Sequence, residues 1–382
     1  MLHKLRVQHY KSLFDLEVEL EPLTVFIGPN GAGKSNICES LVVLSNFLQR
    51  LIANNDNTFV KKFFLESFGT TGQSPYVESK FWQGKLDRLS FYVKDSSYLE
   101  NESSENNELF PLMSDISINF DYIQQAASIE ADGNPGTGLK NTTADLRQFL
   151  VNYRYPNSHL ANSLKQVSIY DFSPTALSSN TSNHQLASSM DRTGKGIAYA
   201  LADILLTNRD RFNELEHRLT RLVPNIKRIS LLRTENQSFS LELIDRYSEH
   251  HIPATDISDG TLRILGFLTA LYQENTQSII CFEEIENGIH PWLLHKMVEL
   301  LKIVSTEGIT GNPVQVLITT YSPVLLNYVE PHQVRAVELD KEGKTQVHAL
   351  PTDSVRFQKA LEAYDRDLGE LWFTNVFGGN PA

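Results

Sequence analysis

The run GPNGAGKS, Gly28 to Ser35, restricts this chain more than any other segment. It fits Gly, four residues, Gly, Lys, Ser/Thr, a pattern that gains meaning only from its setting. Before it lies Leu23-Thr24-Val25-Phe26-Ile27, a short β-branched apolar run that predicts a buried strand. After it, Ile37 to Ile52 carries Leu41, Leu44 and Leu48 at helical spacing. Strand, glycine loop and helix together form a phosphate cradle. Across Asn30, Gly31 and Gly33, backbone N–H groups curl around phosphate oxygens, and the helix N-terminus adds a favourable dipole. Lys34 then reaches the β- and γ-phosphates, and the Ser35 hydroxyl ligates Mg²⁺. The competing reading, a plain glycine turn ahead of a core helix, is disfavoured because position, spacing and both flanks agree. The segment predicts binding of a nucleoside triphosphate.

At 382 residues the chain is long enough for two or three domains, or for one large domain with an insertion. It carries 34 basic and 46 acidic residues, a net charge of −12, which excludes a generic polyanion binder. Any nucleic-acid contact must come from a local patch. Cys38 and Cys281 both sit in apolar runs and read as small core residues, with no disulfide framework or metal cluster. No apolar signal segment opens the chain and no run of 18 apolar residues occurs, so a cytoplasmic protein with no membrane partner is expected.

The alternation in Leu5-Arg6-Val7 and Leu16 to Leu20 predicts strands leading into the phosphate loop. Phe81-Trp82 and Leu89 to Val93 predict further strands. Composition then shifts to Ser, Asn and Glu over 95–108 and to Gly, Asn and Thr over 133–143, both read as loops. Ile116 to Ala131 is read as strand-like and then helix-like, and Gly196 to Leu222 as one helical block ending before Pro224. Strands are expected over Ile226 to Leu232 and Phe239 to Ile244. The expected division is 1–95, an N-terminal lobe with the phosphate loop; 96–190, an insertion; 191–250, a helical and strand subdomain; and 251–382, a C-terminal lobe.

A phosphate loop needs a partner strand bearing an acid. Ser278-Ile279-Ile280-Cys281-Phe282-Glu283-Glu284 supplies four apolar residues and then two carboxylates at the C-terminal end, where α/β sheets bind ligands. Glu283 is expected to hold Mg²⁺ through water, and Glu284 to orient or deprotonate the attacking water. Upstream, Ser258-Asp259-Gly260 opens a helical run, Leu262 to Tyr272. It reads either as a plain helix cap or as an anion site. Downstream, Val316 to Thr320 is another apolar strand, followed by Tyr321-Ser322-Pro323.

The order of these pieces resembles the ABC-type ATPases of the SMC/RecF-like division. More narrowly it is similar to the AAA-type ATPases of bacterial defence operons, related to the ATPase half of OLD nucleases. The segments that carry the resemblance are GPNGAGKSN (28–36), DISDGTLR (256–263), FEEIENGIHP (282–291) and TTYSP (319–323), with GELW (369–372) and Gly378-Gly379. It covers roughly 1–95 and 190–382. It implies an α/β head with a mixed central sheet flanked by helices, plus an inserted α+β or helical lid. It also implies ATP and Mg²⁺ sandwiched between two copies of the chain. Ser258 and Gly260 of one copy, with Arg263 assisting, would then face the γ-phosphate held by the other. Asn36 matches the position after the Mg²⁺ serine. Asn287, Gly288 and His290 match the loop that lies at the dimer interface.

Two departures stand out. Glu283 occupies a position where Asp is usual, and a longer carboxylate still reaches Mg²⁺ through water. Tyr321 stands where the family has a histidine that senses the γ-phosphate. A phenol of reference pKa about 10 is no cation near neutral pH, so slow hydrolysis is expected. Between Lys34 and Ser258 the chain advances 224 residues, which suits a compact insertion better than a transporter subunit or long coiled-coil arms. After Tyr321 61 residues remain, too few for an appended nuclease domain, so any nuclease or toxin chemistry is expected from a partner. The basic stretch Arg209, Arg211, Arg218, Arg221, Lys227, Arg228 and Arg233 either contacts DNA or is a solvated face with Arg211–Glu214 and Glu214–Arg218 pairs. The expected function is an ATP-driven dimerisation switch that controls an effector in antiphage defence or DNA maintenance. The rivals are a RecF-like ATPase acting directly on DNA, and an ATP-binding scaffold with little hydrolysis.

Overall fold

The computed structural model describes residues 1–53, 59–60, 62–63, 88–95, 115–121, 126–131, 134–135, 143–152, 159–179, 189–234, 238–273, 277–309 and 311–379. Phe81-Trp82, most of 95–108 and most of 133–143 lie outside them. The chain forms two compact units. The first comprises Met1–Val167, Gln277–Cys281 and Val314–Ala382, and the second Ser168–Thr276 and Phe282–Pro313.

In the first unit, β1 (Leu2–Tyr10), β2 (Leu13–Glu19) and β3 (Leu23–Ile27) lead to the helix Lys34–Ala53. β4 (Arg88–Asp95), β5 (Asp115–Asp121), β6 (Ala126–Ala131) and the two-residue β7 (Asn134–Pro135) follow. These strands, with β3 left out, form an antiparallel sheet in the order β2-β1-β4-β5-β6-β7. The alternation of β1, β2 and β4 places Leu5, Val7, Leu16, Val18, Leu89, Phe91 and Val93 on the buried face. They pack with an aromatic cluster in which Phe47 of the first helix meets Phe63 at 5.1 Å and Phe120 at 4.8 Å between ring centroids. Each such side chain, fully buried, contributes roughly 1.5–3 kcal/mol. β6 corrects one expectation. Its Ala-rich sequence suits a helix, but residues 126–131 pair antiparallel with β5, Ile118 opposite Ile129, because propensity yields to the pairing of a strand whose residues 126–129 are all buried.

The second sheet carries the loops of interest. β8 (Val167–Tyr170) lies at one edge; β12 (Ile279–Glu283), β13 (Gln315–Thr320), β14 (Val334–Leu339) and β15 (Thr345–Ala349) complete the order β15-β14-β3-β13-β12-β8. β3, β12 and β13 are buried at every residue, hence their mostly apolar sequences. β13 runs parallel to β3, Thr320 opposite Ile27, while β14 and β15 form an antiparallel hairpin, so the sheet is mixed. At the start of β13 the buried Gln315 side chain exchanges hydrogen bonds with the Leu2 backbone (2.9 and 2.8 Å) and donates to the Glu21 carbonyl (3.1 Å). A buried amide so fully satisfied fixes the register of the N-terminal strand.

The second unit holds an antiparallel sheet, β11 (His251–Pro253), β10 (Phe239–Asp245) and β9 (Ile226–Arg233), with β10 in the centre. Its helices include Ile197–Thr207, Arg209–Leu222, Asp259–Tyr272 and Pro291–Thr306. The expected single block over 196–222 is therefore two helices. Asn208, extended at φ −147°, ends the first and caps the second by accepting from the Arg211 N–H at 3.0 Å. Of the two ion pairs expected on that second helix, Glu214–Arg218 forms at 3.0 Å. Glu214 Oε1 also accepts from the Tyr272 hydroxyl at 2.8 Å. Among the described residues no helix is long and apolar enough to cross a membrane.

Candidate nucleotide site

The phosphate loop leaves β3 at Gly28 and closes on the helix beginning at Lys34. Asn30 and Gly31 are exposed at its tip, and Gly31 and Gly33 take φ of +80° and +101°. Only glycine fits at Gly33: φ is left-handed, and a Cβ there would stand 2.2 Å from Thr345 Oγ1 and 2.7 Å from Ser12 Oγ. Lys34, 6% exposed, turns into the loop and donates to the carbonyls of Gly28 (2.7 Å) and Pro29 (2.9 Å). Its ammonium is thus held at the centre of the loop's backbone, where an anion would meet it. Ser35 and Asn36 are half-buried in the first turn of the helix.

A chain of hydroxyls fastens the loop from behind. Asn36 Nδ2 donates to Ser12 Oγ at 2.8 Å, and Ser12 Oγ lies 2.7 Å from Thr345 Oγ1. Thr345 Oγ1 donates to the Ala32 carbonyl at 2.9 Å. Because the Thr345 proton is committed to Ala32, the Ser12 hydroxyl donates to Thr345, and the chain runs in one direction. Ser12 and Thr345 were not legible as site residues. The signal nearest to one is the polar Lys11-Ser12 step between two strand patterns.

Glu283 ends β12 and is 7% exposed. Its Oε2 is paired with Arg192, while its Oε1 is buried and accepts no hydrogen bond among the described residues. A buried carboxylate oxygen without a donor is costly unless a cation takes it, so a hard divalent cation such as Mg²⁺ fits the chemistry of this strand end. Glu284 follows at φ +47°, a backbone conformation that a non-glycine residue holds at a cost of about 1–3 kcal/mol and that concentrates at functional sites. Its carboxylate accepts from Asn287 Nδ2 at 2.7 Å, and Asn287 N–H bonds the Glu284 carbonyl at 2.9 Å. His290 caps the helix Pro291–Thr306, accepting from the Trp292 N–H at 3.2 Å, and no group of three metal-ligating side chains occurs among the described residues.

Ser258 is exposed and caps the helix Asp259–Tyr272, accepting from the Thr261 N–H at 3.3 Å. Gly260 lies against the loop after Glu284: a Cβ on it would stand 2.6 Å from the Gly288 carbonyl oxygen. Arg263 passes the same glycine, its Cδ and Nε each 3.7 Å from the Cβ position of Gly288. Within the second unit the Ser-Asp-Gly turn and the loop 284–288 therefore pack backbone to backbone. Tyr321 follows β13 in the first unit and is 39% exposed.

Such a loop, on a buried parallel strand of a mixed sheet, defines a phosphate-loop nucleotide-binding domain. A family model described as "AAA ATPase domain" matches residues 1–195, just over half of the chain. Another, described as "AAA domain, putative AbiEii toxin, Type IV TA system", matches residues 140–327. The chain belongs to the AAA ATPase domain family. It is similar to the DNA replication and repair protein RecF of Corynebacterium jeikeium (strain K411), 39% identical over 59 residues. That alignment covers 15% of this chain and 14% of RecF, about one seventh of the relative's length. Among solved structures it is similar to the Smc head bound to the C-winged helix domain of ScpA, with a TM-score of 0.56 and 13% identity over 94% of this chain and 99% of the other. A Smc head with an extended coiled coil, bound to the C-terminal domain of ScpA from Pyrococcus furiosus, gives a TM-score of 0.52 and 12% identity over 95% and 99%. At these identities the likeness establishes the fold: an α/β ATPase head with a mixed central sheet flanked by helices.

Proposed function

We propose that the chain binds and slowly hydrolyses ATP with Mg²⁺, and that ATP drives two copies together as a switch acting on a separate effector. The observation that carries this reading is the phosphate loop itself, with Lys34 buried inside it and its backbone fastened by Asn36, Ser12 and Thr345. Asn30, Gly31, Gly33 and Lys34 bind the phosphates. Ser35 and Glu283 serve the cation, which neutralises phosphate charge when bound. Glu284, held by Asn287, orients the attacking water. The capped turn at Ser258 and Gly260 presents helix N–H groups, supporting an anion contact toward the nucleotide of a second copy. The likeness to an "AbiEii toxin, Type IV TA system" model supports a defence setting; on this reading the chain works in the cytoplasm and the effector is a nuclease or toxin. A second reading, an ATPase acting directly on DNA, is favoured by the local match to RecF.

The test is sedimentation of the full chain with and without MgATP, alongside phosphate release. The reading expects wild type and Glu284→Gln to bind ATP, and Glu284→Gln to accumulate as an ATP-dependent dimer. A monomer at saturating ATP in both proteins overturns the switch. Stimulation of turnover by duplex DNA shifts the balance to the second reading.

A further inference from the structure

Arg192 occupies a place that no sequence pattern marked. It lies in the loop Asp191-Arg192-Thr193-Gly194-Lys195-Gly196, ahead of the helix Ile197–Thr207. The loop is pinned on every side. Asp191 Oδ1 accepts from the Thr193 N–H (2.8 Å), the Thr193 hydroxyl (2.8 Å) and the Lys195 N–H (3.0 Å). The carbonyls of Arg192 and Thr193 accept from the N–H groups of Asp171 (2.8 Å) and Ser173 (3.0 Å). From this fixed base the guanidinium reaches Glu283 and bonds Oε2. The Glu283 side chain is 5% exposed and that of Arg192 is 40% exposed, so the carboxylate is the buried partner.

The division of the carboxylate is the informative point. Of the two carboxylate oxygens Arg192 engages Oε2, and Oε1 remains buried without a donor among the described residues. A guanidinium that merely neutralised Glu283 would gain most by a bidentate grip on both oxygens. A one-sided grip fixes the carboxylate rotamer and leaves the second oxygen to a cation. We infer that Arg192 is a positioning residue for Glu283, holding its carboxylate by Oε2 so that Oε1 is left to take a divalent cation. The inference rests on the Mg²⁺·ATP reading above. Partners of metal-ligating carboxylates typically account for about 10–100-fold in metal affinity.

The experiment follows binding of a fluorescent, non-hydrolysable ATP analogue to the full chain while MgCl₂ is titrated, with Mn²⁺ paramagnetic resonance as a second measure of the cation. In wild type, binding should strengthen with Mg²⁺. If it does not, the Mg²⁺·ATP reading itself fails. Given that dependence, Arg192→Met should raise the half-saturating Mg²⁺ concentration at least about tenfold, with affinity in EDTA changed less than twofold. Arg192→Lys, which keeps the charge and one donor, should fall between and serves as the test if the methionine variant unfolds early. The double variant with Glu283→Gln should be no worse than Glu283→Gln alone, since the effect passes through that carboxylate. An unchanged Mg²⁺ midpoint in both Arg192 variants overturns the inference. So does a lower midpoint, which would make Arg192 a competitor of the cation.

Discussion

The Thr345 hydroxyl donates to the Ala32 carbonyl at 2.9 Å, so a strand 313 residues downstream holds the phosphate loop from behind. Through Ser12 the same chain reaches Asn36 in the first helical turn. Thr345→Val keeps the shape and removes the proton, leaving the buried Ala32 carbonyl without its donor. A loss of about 1–3 kcal/mol is expected, since an unsatisfied buried group costs more than the bond contributes. Nucleotide affinity should fall about tenfold, the equivalent of 1.4 kcal/mol. Denaturant unfolding and nucleotide titration check both, and full affinity in Thr345→Val would show that the hydroxyl chain does not shape the loop.

Gly260 and Gly288 give a prediction in the second unit. A methyl at Gly260 would press on the Gly288 carbonyl oxygen, a backbone atom that cannot swing aside. Gly260→Ala should cost about 1–3 kcal/mol through overpacking. It should also displace the loop carrying Asn287, and so the carboxylate of Glu284. ATP-dependent dimerisation and turnover should therefore both fall while nucleotide binding persists. Retention of both at wild-type levels would show that the two loops move independently.

Much of this was legible because it is local. The loop at 28–35 and the acids at 283–284 are written as contiguous residues, with apolar runs that announce buried strands. Ser258 capping its helix follows from the chemistry of a serine ahead of a helical run. What escaped reading is long-range: Thr345 against Ala32 and Arg192 against Glu283 are brought together by topology, and neither has a spacing signature. The misreading of 126–131 had the opposite cause, a local helix preference overridden by the pairing of β6 with β5.

Alkaline pH should expose one buried contact. Burial and, after it, the neighbouring Glu214 carboxylate hold the Tyr272 phenol well above its ordinary pKa. Its folded value exceeds the unfolded value near 10, so its contribution is fully present below about pH 10 and is lost as pH rises above it. Tyr272→Phe should cost about 1 kcal/mol at pH 7 for the lost hydrogen bond. It should also flatten the fall in stability above pH 10. Parallel unfolding curves for the two proteins from pH 8 to 11 would show that Tyr272 does not titrate in the unfolding equilibrium.

Tyr321 governs the expected rate. It follows β13, the neighbour of β3 in the sheet, and the Thr320 hydroxyl oxygen fixes the next step by accepting from the Ser322 N–H at 2.9 Å. Its side chain is 39% exposed, so an imidazole fits there without disturbing the core. A phenol can donate one hydrogen bond but carries no positive charge near neutral pH. A histidine can present a cation to the charge that builds on the γ-phosphate during transfer. Tyr321→His should therefore raise steady-state phosphate release severalfold with little change in ATP affinity, the pattern of an interaction made in the transition state. Tyr321→Phe should retain ATP binding and lower turnover further. A rate in Tyr321→His equal to or below wild type would show that position 321 does not limit hydrolysis, and would move the search for the slow step to Glu284 and its Asn287 tether.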